Sequence, residues 1–223
     1  MAIETAATKE RLRVALILAL NAGFIDAFCF FNYDARFAGA QTGNLIQAGI
    51  YLAQRQWVRV ADFVIPIGFF VVGVMFRVIM SDRLAKSRRF DVLYLLLIQL
   101  LGMTVFSLLY PTVLSGIPNS LAVGILSFLM AIQYDTFKKA HGQAYGSIFM
   151  TGNIRTFSVN LAQFVLTREP KYRQNVTVFS FLIGSFFIGA VIATFASRIF
   201  GTWTLLGSSF FLILVYLIFR FEG

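Results

Sequence analysis

The sequence predicts an all-α polytopic membrane protein with six transmembrane helices and two re-entrant half-helices, arranged as an inverted internal repeat (3+3). Three observations predict this fold. Apolar residues are collected into blocks, many of membrane-spanning length, a Thr-Gly-Asn motif occurs twice at corresponding places, and basic residues are divided unevenly between the blocks.

The composition is that of a membrane protein. Of the 223 residues, 58% are hydrophobic and only 13% are charged, and the mean hydropathy is +0.78. A soluble domain carries roughly 25% charged residues. The formal net charge of +9 does not indicate nucleic-acid binding, because the basic residues stand between apolar blocks, where they orient a chain in the bilayer. We therefore expect one transmembrane domain over residues 1–223, with the lipid bilayer as its partner and no nucleic acid.

The sequence is organised around a duplicated motif. Gln41-Thr42-Gly43-Asn44 is matched by Met150-Thr151-Gly152-Asn153, and the two threonines are 109 residues apart. The same offset brings Asp26 onto Asp135. Self-similarity at a fixed offset is the signature of an internal repeat. We predict repeat one over about residues 12–111 and repeat two over about residues 118–221.

Eight apolar blocks follow one another along the chain, four in each repeat. The two that begin at the Thr-Gly-Asn motifs are short. With its flanking residues the first runs from Gly43 to Gln54, twelve residues or about 18 Å at about 1.5 Å per residue, which is too short to cross a bilayer. We therefore expect these two to be re-entrant half-helices and the other six to cross. The blocks are residues 14–31, 45–53, 63–80, 92–110, 121–134, 154–166, 176–196 and 203–219.

The distribution of Lys and Arg favours this topology. If all eight blocks crossed, the basic residues between them would divide nine inside to eight outside. With two re-entrant half-helices the division becomes thirteen to four. Because cytoplasmic loops carry the excess of Lys and Arg, we expect the second arrangement, with both termini cytoplasmic. Three crossings then separate the repeats, so the repeats are inverted relative to one another.

The two Thr-Gly-Asn motifs form the first candidate site. A helix N-terminus presents unpaired N–H groups and a partial positive charge. We expect the threonines to be N-caps, the glycines to allow close approach, and the asparagines to bind a small polar or anionic solute where the two helix starts meet. The alternative is that the motifs only cap and pack the helices. The residues are Thr42, Gly43, Asn44, Thr151, Gly152 and Asn153.

Three charged residues complete the candidate site. Asp26 lies within the first apolar block, where a carboxylate is costly unless it is paired or hydrated. It could be a counter-ion for Arg155, a proton-coupling group, or a structural carboxylate bonded to a neighbouring half-helix. Asp135 precedes Lys138 and Lys139 at the i+3 and i+4 spacing of helix-surface ion pairs. Arg155 strengthens an anion site if its helix start lies deep.

Other features predict structure rather than chemistry. Arg77 is expected to extend toward the membrane surface. The pairs Gly68/Gly73 and Gly184/Gly189 are expected to let their helices pack closely. One His and one Cys cannot form a metal-ligand cluster, and the sequence has no nucleotide-binding or nucleophile motif. We therefore expect no cofactor and no enzyme activity.

A family resemblance rests on three runs of residues. They are Ala22-Gly23-Phe24-Ile25-Asp26-Ala27, Phe37-Ala38-Gly39-Ala40-Gln41-Thr42-Gly43-Asn44 and Met150-Thr151-Gly152-Asn153. These runs resemble the YoaK-like family of bacterial membrane proteins, and the resemblance spans most of the chain. It implies a multi-spanning protein of the bacterial inner membrane. It implies no substrate, because the function of the family is unknown.

The favoured function is transport of a small polar or anionic solute, with proton coupling, oligomeric state and the identity of the solute left open. The site would lie between the two Thr-Gly-Asn helix starts. The alternatives are a solute channel, a non-catalytic membrane scaffold and an intramembrane aspartyl hydrolase. The hydrolase would use Asp26 and Asp135 as its acid–base pair, but the Gly-x-Gly-Asp element expected of such enzymes is absent.

Overall fold

The computed structural model describes residues 12–86, 91–137, 139–140, 143–147 and 150–222. Within these ranges the protein is helical, apart from a two-residue ladder of β1 (Lys139–Ala140) and β2 (Gln143–Ala144). A 3-10 helix, Gly201–Leu205, joins the last two α-helices. The α-helices are α1 (Leu12–Asn32), α2 (Gln41–Ala53), α3 (Trp57–Lys86), α4 (Asp91–Leu109), α5 (Asn119–Thr136), α6 (Met150–Thr167), α7 (Pro170–Phe200) and α8 (Leu206–Glu222).

Several of these helices have the length and composition that cross a membrane, as the sequence predicted. Four stretches of the described chain qualify: α1, most of α3, most of α4, and a run from Pro170 to Phe221 that covers α7 and α8. The helix α5 is not among them. Most of its side chains are buried inside the protein, so it is a central helix of the bundle rather than a lipid-facing one.

The two helices that carry Thr-Gly-Asn are each much shorter than the long helix that follows. α2 has 13 residues and α6 has 18, against 30 in α3 and 31 in α7. Each is followed by an arginine in the left-handed backbone region, Arg55 with φ 59° and Arg168 with φ 58°. A left-handed residue reverses the chain directly after a helix. α2 and α6 therefore each end in a tight turn that leads into the next long helix.

The helix contacts come in matched pairs. α1 packs along α7, and α5 packs along α3. α2 lies on α3, just as α6 lies on α7, and α4 and α8 contact each other. The smaller contacts of α1 with α8 and of α5 with α4 also correspond. Suppose that each of α1–α4 is exchanged with its counterpart in α5–α8. Every one of these contacts then corresponds to a contact that is also present, and the α4–α8 contact corresponds to itself.

Close helix approach depends on one glycine in each long helix. A methyl group at Gly189 of α7 would overlap the Leu20 carbonyl of α1, and one at Gly73 of α3 would overlap the Phe128 carbonyl of α5. Gly68 and Gly184 have open space where a side chain would stand. The expectation of close packing is therefore confirmed for the second glycine of each pair and wrong for the first.

The core lies along α1 and α5. Apolar side chains from these two helices pack with those of α4 and α8 in a cluster that includes Phe28, Met103, Leu126 and Leu212. Much of α3 and α7 is exposed, as suits helices that face lipid. The two short helices share no extended interface, because α2 packs chiefly on α3 and α6 on α7. The expectation that their N-terminal tips meet stays a prediction.

Candidate functional site

Asn44 binds the chain segment that leads into α2. Its Oδ1 accepts a hydrogen bond from the Phe37 backbone N–H at 3.0 Å, and its Nδ2 donates to the Phe37 carbonyl at 2.7 Å. The same Nδ2 also donates to Gln41 Oε1 at 2.8 Å. The side-chain amide thus pairs with both backbone groups of one residue, as a neighbouring β-strand would. We call this two-bond arrangement the asparagine clasp.

Asn153 forms the same clasp before α6. Its Oδ1 accepts from the Gly146 N–H at 3.2 Å, and its Nδ2 donates to the Gly146 carbonyl at 2.8 Å. Its Nδ2 also contacts Met150 Sδ at 3.4 Å, in the place where Gln41 stands in the first motif. Both asparagines are buried, and both use their amide groups on their own chain.

The threonines and glycines of the motifs take up different places. The expectation that Thr42 and Thr151 are N-caps is wrong. α2 begins at Gln41, its N-cap is Ala40, and no side chain caps it, while α6 begins at Met150. Both threonines are therefore inside the first turn and exposed. Gly43 leaves room for the Phe37 ring, whereas Gly152 faces open space.

Asp26 binds the same segment from the opposite side. Its Oδ1 accepts hydrogen bonds from the Gly39 N–H at 2.6 Å and from the Ala40 N–H at 3.4 Å. These are N–H groups at the start of α2, where a helix dipole favours an anion. Of the roles considered for Asp26, the structure shows the structural one, with hydrogen bonds from the segment that leads into α2. The other oxygen, Oδ2, is buried without a hydrogen-bond partner.

Asp135 does not repeat the Asp26 arrangement in the described residues. It forms an ion pair with Arg77 of α3, with Oδ2 and Nη1 3.2 Å apart. Both side chains are largely buried, so the expectation that Arg77 extends to the membrane surface is wrong. Lys138 and the residues in register with Gly39 and Ala40 lie outside the described residues. The two aspartates therefore have different partners: backbone N–H groups before α2 for Asp26, and Arg77 for Asp135.

Arg155 lies on the exposed side of α6. Asp26 accepts from backbone N–H groups of the first half of the chain, so the proposed Asp26–Arg155 counter-ion pair is not formed. The predicted site residues therefore have separate hydrogen-bond and ion-pair partners. Asn44 and Asp26 hold the segment before α2, Asn153 holds the segment before α6, and Asp135 joins α3 to α5.

Arg36 forms a charged cluster that sequence reasoning missed. Its side chain is only 2% exposed. It pairs with Asp34 Oδ2 at 3.0 Å and with Asp62 Oδ2 of α3 at 2.8 Å, and it lies over the Phe63 ring. Its Nη1 also donates to the Tyr33 carbonyl. An arginine in a polar loop is usually solvated, so the sequence around Arg36 does not predict a buried ion pair. The pairing becomes visible only in the structure, because Asp62 is 26 residues away along the chain.

The Arg36 cluster also reaches α5 and changes the chemistry of Asp34. Asn119, the first residue of α5, donates to Asp34 Oδ2 at 3.2 Å. Hydrogen bonds from Arg36 and then from Asn119 hold the pKa of the Asp34 carboxyl below its usual value. The cluster thus joins the loop after α1 to the starts of α3 and α5.

Three buried amides meet at the centre of the bundle. Asn21 Nδ2 of α1 donates to Gln133 Oε1 of α5 at 2.9 Å, and Gln99 Nε2 of α4 donates to the same oxygen at 3.1 Å. Gln133 Nε2 donates to the Leu18 carbonyl at 3.1 Å. All three side chains are fully buried. We call them the amide cluster. No local pattern indicates that these residues meet, because they come from three separate helices.

Several buried polar atoms of the described chain have no hydrogen-bond partner. In the amide cluster these atoms are Asn21 Oδ1 and Gln99 Oε1. A second group lies at the start of α8 and a third at the end of α5 and before α6. Most buried polar groups in proteins are paired, so such atoms mark places where water or a ligand binds. The second group consists of the hydroxyls of Thr204, Ser208 and Ser209, and the third consists of those of Thr136 and Ser147.

Two cavities lie on the outer surface of the described chain. One, of about 800 Å³, is a groove between α3 and α5 that is lined by apolar side chains around Gly68. Another, of about 390 Å³, lies between the start of α1 and the start of α7. The described residues hold no group of His, Cys, Asp and Glu side chains that could bind a metal ion.

The fold and the buried polar groups define the class of this protein as an all-helical, membrane-type protein with several long apolar helices. A family model described as a protein of unknown function (DUF1275) matches residues 14–218, so the chain belongs to that family. The YoaK-like family is this same family, and the resemblance is confirmed. No curated protein and no solved structure matches the chain.

Proposed function

We propose that this protein is an inner-membrane transporter for a small polar solute, built as an inverted repeat. The proposal is supported chiefly by the unpaired buried polar atoms, which lie at three depths along α1, α4, α5 and α8. In a membrane protein, polar groups without partners inside the bundle mark a route for water or solute. The Thr-Gly-Asn helix starts no longer support it, because their asparagines bind their own backbone.

The proposed depths of these polar atoms in the membrane follow from the order of the helices and from two hydrogen bonds. Asn32 Nδ2 donates to Ser197 Oγ at 3.1 Å, so α1 and α7 end on the same side. α8 begins on that side, close to Ser208 and Ser209. Asn119 binds Asp34, so α5 begins there as well and ends on the opposite side at Thr136.

The amide cluster lies between these two levels. Asn21 is the tenth of the 21 residues of α1, and Gln99 is the ninth of the 19 residues of α4. The route would therefore pass from the hydroxyls at the start of α8, through the amide cluster, to the hydroxyls at the end of α5. α1 and α4 come from the first proposed repeat, and α5 and α8 from the second, which suits a site at a repeat interface.

In this proposal the Thr-Gly-Asn motifs hold the re-entrant segments rather than the solute. Re-entrant backbone is stable at membrane depth only when its polar groups are satisfied inside the protein. The clasps of Asn44 and Asn153, and the bonds from Asp26, satisfy such groups on the segments before α2 and α6.

Transport is tested by reconstituting the purified protein into liposomes and measuring uptake of a broad panel of neutral and charged solutes, with and without a pH gradient. We expect saturable, protein-dependent uptake of at least one solute. Ser208→Trp should abolish it by filling the route, whereas Ser180→Trp, at an exposed position on α7, should not. Uptake that never saturates would indicate a channel, and no uptake of any solute would refute transport.

The inverted orientation is tested separately by labelling with a membrane-impermeant thiol reagent. The only cysteine, Cys29, is buried and is replaced by Ala. Cysteines are then introduced singly at Arg55 and Arg168, the exposed turns after α2 and α6. We expect labelling from outside the cell at position 55 only. Labelling of both positions from the same side would rule out the inverted repeat.

A membrane scaffold is the second candidate. It is favoured by the saturated clasps, which leave Asn44 and Asn153 without a free group for a solute. A scaffold needs no polar route. Under this reading, Ser208→Trp would change stability without changing any flux, because no flux would exist.

A further inference from the structure

The amide cluster has a fixed direction of hydrogen bonding. The Leu18 carbonyl can only accept, so Gln133 must turn its Nε2 toward it. Gln133 Oε1 then faces α1 and α4 and can only accept from them. Asn21 and Gln99 must therefore turn their nitrogens inward, because a flipped amide would place two oxygens against each other.

The same argument decides whether the atoms without a partner are hydrogen-bond donors or acceptors. Each of the three amide nitrogens has a partner, and so does the oxygen of Gln133. The two oxygens without a partner are Asn21 Oδ1 and Gln99 Oε1. Both are acceptors, held on different helices around one central oxygen. A ligand at this place must donate hydrogen bonds to them.

The charge of the ligand follows from what surrounds the cluster. An anion would be repelled by the two carbonyl oxygens, and the largely buried arginines of the described chain, Arg36 and Arg77, are already paired with carboxylates. A cation would have to leave water for a site whose three side chains are all neutral. Removing an ion from water costs far more than removing a neutral donor, and the two free oxygens of the cluster are too few to replace an ion's hydration shell.

We infer that the amide cluster is the binding site for a small uncharged solute that presents N–H or O–H donors, such as an amide, a urea or a polyol. This inference rests on the proposed transport function and specifies its substrate class. It excludes the anionic solute that the Thr-Gly-Asn helix starts suggested. Asn21 and Gln99 accept from the solute, and Gln133 orients both of them.

The test uses three planar solutes of similar shape and different charge: urea, guanidinium and nitrate. Entry into liposomes that contain the protein is compared with entry into empty liposomes. We expect protein-dependent entry of urea to exceed that of guanidinium and nitrate. Tetramethylurea, which has no N–H donor, should also enter poorly.

Variants of the amide cluster provide a second test of the inference. Gln99→Leu should reduce urea entry by about threefold to tenfold, the range of one net hydrogen bond. Asn21→Leu should do the same and serves if the first variant fails to fold, as judged by size-exclusion chromatography. Gln163→Leu on α6, outside the cluster, should leave entry unchanged.

The outcomes separate this inference from the proposed function. Faster entry of nitrate or guanidinium than of urea, or urea entry that neither cluster variant changes, would overturn the inference and leave transport standing. Entry of other panel solutes with none of urea would do the same. No entry of any solute would refute transport and, with it, the assignment of a substrate.

Discussion

The side-chain amide of Asn44 and the backbone N–H and carbonyl of Phe37, seven residues earlier, form a closed pair of hydrogen bonds, 3.0 and 2.7 Å long. Asn153 and Gly146 form the same pair across the same separation. The duplicated asparagine therefore stabilises a duplicated loop geometry. Its function in the fold is explained without any ligand.

Loss of a clasp should destabilise the protein. Asn44→Ala and Asn153→Ala each leave a backbone N–H and a carbonyl without their partner, which costs about 2–4 kcal/mol when both groups stay buried. Thermal unfolding in detergent should show a clear fall in melting temperature. Thr42→Ala and Thr151→Ala are the controls and should change it little, because both threonines are exposed inside the helix. Equal effects at the Asn and Thr positions would contradict this account.

Asp26 should act through the start of α2. Asp26→Ala removes the acceptor for the Gly39 and Ala40 N–H groups, so these amides should exchange with deuterium faster than in the parent protein. Asp26→Asn keeps an acceptor oxygen and should retain most of the protection. Hydrogen exchange followed by mass spectrometry measures both. Unchanged exchange in Asp26→Ala would show that these bonds do not hold the segment.

Arg36 should be more important for stability than the exposed Arg155. Arg36→Met leaves Asp62 without its buried partner, and we expect a loss of about 2–3 kcal/mol, below the value for a fully buried pair because Asp62 and Asp34 reach solvent. Arg155→Met should have little effect. The double variant Arg36→Met/Asp62→Leu should recover part of the loss. Chemical or thermal unfolding tests all three, and no recovery would argue against a paired cluster.

Asp34 should make the stability of the folded protein depend on pH in the acidic range. The pKa of its carboxyl is lowered in the folded protein by Arg36 and Asn119, so folding favours the ionised form. Its contribution is complete above the unfolded pKa of about 3.9 and is lost as the pH falls through the folded pKa. Melting temperatures from pH 7 to pH 3 should therefore fall less steeply in Asp34→Asn than in the parent below about pH 4. A steeper fall of the melting temperature in the variant than in the parent would contradict this prediction.

The glycines of α3 and α7 offer matched substitutions. Gly73→Ala and Gly189→Ala place a methyl group against a neighbouring backbone carbonyl, and such overpacking costs about 1–3 kcal/mol. Gly68→Ala and Gly184→Ala meet open space and should be neutral or slightly stabilising, because alanine favours a helix. Melting temperatures of the four variants test this. A penalty at all four positions would mean that the lipid face is also an interface.

Much of the fold could be predicted because hydrophobic blocks report local environment directly. The eight blocks correspond to eight described helices, and the motif offset of 109 residues corresponds to two identical clasps. The site could not be predicted in the same way. Whether Asn44 binds a solute or a peptide seven residues earlier depends on the path of the loop, and no local pattern records that path.

The sequence by itself determined the membrane class, the number of helices and the places where the pattern repeats, since these depend on composition and periodicity within single segments. Only the tertiary structure decided the partners: Asp26 with the start of α2, Arg36 with Asp62, and Asn21 with Gln133. The physical reason is that a polar side chain inside a bundle gains stability from any suitable partner within reach. Which partner lies within reach is set by how the helices pack.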